Sequence, residues 1–305
     1  MTEVKNTQKK KIMSFLRNNP VTLMVIVSLI IHTGQRLSYK LLTILMPMIP
    51  NIAATDVFQT SAVYLLFVGT WAVALLVLWL IPDNRPMLKA LGKGVRGNTL
   101  KMFAVGLGIG LGMNLLCALI AIANGDIALT FHSFRPVSLL LVFVAVLIQS
   151  SAEEMLCRVF LYQRLLRFSC KPIAAAVINA SFFTILHMMN PGITPTSVVH
   201  LFLSGIVYSV LVIYLDSPWA AMASHTAWNF CQNILLGLPN SGMKMPYSVF
   251  KLDAAAATDS FAYSVSFGLE GSVSSLFILG ITIGLIVWWS TRHNIVPTNI
   301  WDTEA

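Results

Sequence analysis

Two adjacent carboxylates and a guanidinium four residues on, Glu153, Glu154 and Arg158, interrupt a run of apolar residues. Downstream, His187 follows Phe183 by four residues, and Asn229 follows His225 by four. On a helix this spacing puts both side chains on one face. Glu154 and Arg158 then form an ion pair in the favourable orientation, glutamate first. Glu153 sits about 100° round the helix and is left for another partner. His225 and Asn229 offer an imidazole and an amide to one point, and the Phe183 ring walls one side of His187. A carboxylate, two imidazoles and an amide suit hydrolysis by an activated water. Glu153 takes the proton, His187 orients the water or shares its proton, and His225 and Asn229 donate to the developing oxyanion. The competing readings are a structural Glu/Arg lock between helices and plain interhelical hydrogen bonds from the histidines. Two histidines and a glutamate also make a zinc-compatible set. With no HExxH pattern, and with asparagine an unusual ligand, no metal site and no cofactor are expected, and a zinc-dependent version stays open.

Such residues matter because of where they lie. The chain of 305 residues is 56% hydrophobic and 10% charged, far from a soluble composition. A charged side chain at the centre of a membrane helix costs about 2.5–3.5 kcal/mol on insertion scales, so it is rare and usually functional. The apolar runs predict an all-α bundle of eight spans: residues 20–49, 61–81, 102–123, one from about 136 through the two glutamates, 172–189, 197–215, 219–236 and 272–290. In the first, His32, Gln35, Arg36 and Lys40 predict a kink or a partly re-entrant path. A basic segment precedes it without a small-residue cleavage site, so it is read as a retained span. Gly106, Gly108, Gly110 and Gly112 form two interleaved GxxxG pairs, which predict close helix packing on opposite faces rather than nucleotide binding. Cys117, Cys157, Cys170 and Cys231 lie in apolar surroundings without a CxxC and read as small hydrophobes.

Charge orients the bundle. Fourteen of the twenty lysines and arginines fall on one side of the eight predicted spans, three on the other and three within spans. The positive-inside rule then makes both termini cytoplasmic. The net charge of +8 is explained by this asymmetry, and nucleic acid is not an expected partner. The organisation expected is a cytoplasmic basic segment (1–19), a membrane domain (20–290) with its motif core at 136–236, and a cytoplasmic tail (291–305). The polar stretch 237–271 faces outward, as a gate or a connector.

Glu153-Glu154-Met155-Leu156-Cys157-Arg158, Phe183-Thr184-Ile185-Leu186-His187 and His225-Thr226-Ala227-Trp228-Asn229 match, in order, the EExxxR, FxxxH and HxxxN motifs. In these the sequence resembles the CPBP intramembrane peptidases, also called the CAAX-protease or Abi family. The resemblance covers roughly residues 136–236. It implies an eight-helix glutamic endopeptidase in which Glu153 and His187 activate a water, with His225 and Asn229 stabilising the oxyanion and Glu154, Arg158 and Phe183 in support. It implies peptide or lipidated, membrane-associated protein substrates. Eukaryotic relatives trim prenylated CAAX proteins, and bacterial ones process bacteriocin-type peptides, confer immunity to them or regulate membrane signalling. A bacterial plasma membrane is the expected location. The alternative is a non-catalytic immunity or signalling protein that retains the motifs and works through a membrane-protein partner.

Overall fold

The computed structural model describes residues 19–168 and 170–301. The basic segment 1–19 lies outside them except for Asn19, as do residues 302–305 of the tail. The main helices are α1 (Pro20–Leu45), α2 (Asp56–Leu65), α3 (Phe67–Leu80), α4 (Leu100–Ala123), α5 (Pro136–Glu154), α6 (Pro172–His187), α7 (Pro195–Leu215), α8 (Pro218–Asn229) and α9 (Val273–Arg292). Proline opens α1, α5, α6, α7 and α8, where its missing N–H is no loss and its fixed φ suits a first turn. Asn19, Thr99, Thr194, Ser217 and Ser272 cap their helices by accepting a first-turn N–H.

Six stretches are long and apolar enough to cross a membrane, among them Pro20–Met48, Pro136–Arg167 and Val273–Arg292. Two of the eight expected spans are not among the six: α6 has 16 residues, and α8, with 12, is continued by a six-residue π-helical segment to Leu235. Where polar residues suggested a kink or a partly re-entrant path, α1 runs as one helix to Leu45. Gly34 and Ser38 face inward there, letting the backbones of α1 and α3 touch at Gly69 and Thr70. Ser38 Oγ accepts the first-turn N–H of Gly69 at 2.8 Å. Arg36 and Lys40 stay exposed.

The core forms around α8, nearly all of which is buried. Helices α4, α5 and α7 pack against it. Gly106 and Gly110 of α4 let its backbone meet that of α8 at Ala220 and Ser224, whereas Gly108 and Gly112 face open space. Only one of the two expected glycine faces is therefore used for packing.

Both helices that carry the outer motifs lose α register just beyond Glu154 and Asn229. α5 passes into a π-helical segment, Met155–Leu161, before ending in a short α-helix, Tyr162–Arg167; α8 passes into another, Phe230–Leu235. Such widened turns alter backbone pairing and collect at functional sites. Asn179 of α6 donates to the Cys157 carbonyl in the first at 2.6 Å.

Residues 237–271 are folded onto the bundle rather than forming a simple connector. Strand β1 (Leu129–Phe131) pairs antiparallel with β2 (Phe250–Leu252), and Tyr247, Tyr263, Phe267 and Leu269 are fully buried. The tail is docked as far as it is described. Thr298 donates through N–H and Oγ1 to the two carboxylate oxygens of Asp216 at 2.8 and 2.6 Å, and Trp301 donates to the Gln163 carbonyl at 3.2 Å.

Candidate active site

The three motifs meet on α5, α6 and α8 around a cavity of about 400 Å³. Glu153, His187, His225 and Asn229 all line it, as does Phe183. Glu154 and Arg158 have fully buried side chains and are not among the lining residues.

The Glu154–Arg158 pair expected from spacing is present, with Arg158 Nη1 donating to Glu154 Oε1 at 3.0 Å. Arg158 also donates through Nη2 to the Gly205 carbonyl at 2.9 Å and lies over the rings of Phe183 and Tyr208. Charge pairing, a hydrogen bond to α7 and two π faces together make a dry guanidinium tolerable. Glu154 does more than hold its own helix. The same Oε1 meets His225 Nδ1 at 2.9 Å. His225 is therefore seated by Glu154, and it stacks on Tyr208 with ring centroids 4.8 Å apart. Its Nε2 comes within 3.8 Å of Glu153 Oε2. Spacing along α5 set Glu153 toward the histidines and gave Glu154 only Arg158; the packing of α8 brings His225 to Glu154 as well.

Glu153 accepts a hydrogen bond on Oε1 from Gln149 Nε2 at 2.7 Å. Its other oxygen, Oε2, is buried without a hydrogen-bond partner. His187 contacts the Phe183 carbonyl through Nδ1 at 2.7 Å, and its ring lies 4.5 Å from that of Phe183. A carbonyl only accepts, so Nδ1 carries the proton and Nε2 of the neutral ring is an acceptor. Asn229 has a fully engaged amide: Nδ2 donates to Gln149 Oε1 and to Ser150 Oγ, both at 3.2 Å.

Several polar lining residues lie outside the motifs, among them Gln149, Tyr208, Asn240 and Glu270. Gln149 sits four residues before Glu153, a spacing that could have flagged it. Glu270 belongs by sequence to a polar loop, and only the folding of that loop over the cavity buries it. Burial pushes its carboxyl above the usual range, against the pull of donors from Ser241 and Trp228. Among the described residues, no three His, Cys, Asp or Glu side chains are grouped so as to hold a metal ion.

A family model described as type II CAAX prenyl endopeptidase Rce1-like matches residues 135–231, the stretch from the start of α5 into the second π segment. No curated protein and no solved structure matches the chain. The multiple long apolar helices mark an integral membrane protein. The part of the chain that brings the three motifs to the cavity thus matches the Rce1-like type II CAAX prenyl endopeptidase domain, of the CPBP family.

Proposed function

We propose that this protein is an intramembrane endopeptidase that hydrolyses a peptide bond in a peptide or a lipidated, membrane-associated protein. The observation that carries the reading is one cavity presenting two acceptors, Glu153 Oε2 and His187 Nε2, beside the imidazole of His225. A water that donates both its protons to Glu153 and His187 keeps a lone pair for the scissile carbonyl. Proton transfer to Glu153 then accompanies attack. Tied to Glu154 through Nδ1, His225 offers Nε2–H to the oxyanion as the imidazolium. In that form Glu153, Glu154, Arg158 and His225 sum to zero charge. Asn229 joins as a second donor by giving up its 3.2 Å bond to Ser150.

The eight-span arrangement and cytoplasmic termini belong to the same proposal, supported by the placement of basic residues, and a bacterial plasma membrane is its expected location. Reporter fusions after Ala305 and within residues 237–271 should report opposite sides of the membrane. The test of the chemistry is an internally quenched, farnesylated CAAX peptide given to the protein in liposomes. Glu153→Gln and His187→Ala should each abolish cleavage while the protein stays folded in the bilayer. Cleavage by Glu153→Gln at the wild-type rate would sink the reading and favour a non-catalytic membrane partner. Activity measured with and without a chelator separates the metal-free version from the zinc one.

A further inference from the structure

A continuous line of side-chain hydrogen bonds joins the loop over the cavity to Glu153. It starts at Glu270, which receives Trp228 Nε1 at 3.1 Å on Oε1, and the Ser241 backbone N–H at 2.5 Å and Ser241 Oγ at 3.1 Å on Oε2. An indole and a backbone N–H can only donate, so both oxygens of Glu270 accept, and as a carboxylate it has nothing to donate. Asn240 must therefore turn its NH₂ toward Glu270 Oε1, at 3.3 Å, and the same Nδ2 reaches Asn229 Oδ1 at 3.2 Å. That contact turns the Asn229 NH₂ toward Gln149 Oε1, and Gln149 in turn has its NH₂ on Glu153 Oε1 at 2.7 Å. An isolated amide has two nearly equivalent orientations. Here the carboxylates at the two ends, Glu270 and Glu153, impose the same sense on all three.

We propose that Gln149, Asn240 and Glu270 are positioning residues for the hydrolysis: they form an amide relay through which the loop sets the orientation of Asn229 and the Glu153 carboxylate. The inference rests on the reading of Glu153 as the base. The relay occupies Glu153 Oε1 and leaves Oε2 as the oxygen that meets the water. A catalytic group displaced by about 1 Å loses on the order of 10²-fold in rate, so an orienting bond on the idle oxygen has kinetic weight. A set of bonds that merely satisfied buried polar atoms would instead act on folding and leave turnover unchanged.

The farnesylated CAAX peptide in liposomes reads the difference. Gln149→Met, Asn240→Asp and Glu270→Gln should each lower kcat roughly 10- to 100-fold with KM nearly constant. Glu270 and Gln149 share no hydrogen bond, yet the double variant Glu270→Gln/Gln149→Met should fall no further than the worse single variant. Losses that multiply, losses confined to KM, or wild-type kcat in the single variants overturn the relay. Should Glu270→Gln not fold, Asn240→Asp takes its place in the cycle, because it fills the same space and cannot donate. Glu153→Gln separates the two claims. If it abolishes cleavage while the relay variants keep wild-type kcat, the relay alone fails; if it cleaves normally, the catalytic reading itself has failed.

Discussion

Arg158 is held by Glu154, the Gly205 carbonyl and two aromatic faces, and it has no access to solvent. Removing one member of a buried pair strands the other charge, at a cost of about 3–5 kcal/mol. Arg158→Met should therefore lower the unfolding midpoint in detergent sharply, by more than Glu154→Gln/Arg158→Met, in which no charge is stranded. The double variant should still be inactive, because Glu154 also seats His225. At this scale the sequence was readable where partners share a helix. Four-residue spacing identified Glu154 with Arg158 and Phe183 with His187, and both contacts are present. It could not identify Glu154 with His225, which are 71 residues apart and meet only when α5 packs on α8.

Among the helices, α4 supplies the sharpest contrast. A methyl group added at Gly110 would meet the Ser224 backbone, while one at Gly108 or Gly112 would meet nothing within 4 Å. Gly110→Val should destabilise the protein by about 1–3 kcal/mol through overpacking. Gly108→Ala and Gly112→Ala should be neutral or slightly stabilising, since alanine favours the helix. Equilibrium unfolding in detergent or bicelles checks both. The glycine pattern was evident in the sequence, but composition cannot say which face has a neighbour. The same holds for α1, where polar residues predicted a kink or a partly re-entrant path and Gly34 and Ser38 instead face α3. The short α6 and α8 were visible as apolar runs because burial inside the bundle demands the same composition as lipid does.

Across the whole molecule, the tail and the loop 237–271 close the bundle at places the apolar pattern does not describe. Thr298 and Trp301 join the α7–α8 corner at Asp216 to the end of the α5 stretch at Gln163. Deleting residues 296–305 should lower the unfolding midpoint by a few degrees. On the farnesylated peptide kcat should stay close to wild type, because none of the described residues in that segment lines the cavity. The two π segments have a different consequence, in the language of insertions and deletions. Each behaves as spare length in a helix, placed after the motif residues that face the cavity, Glu153 in one helix and His225 and Asn229 in the other. Deleting Val159 can be absorbed there by a return to α geometry, with Glu153 and Glu154 left in place. Deleting Ile148, ahead of the carboxylates, turns them by about 100° relative to the start of α5 and away from His225. Single-residue gaps in this helix therefore fall into two classes, divided at Glu154.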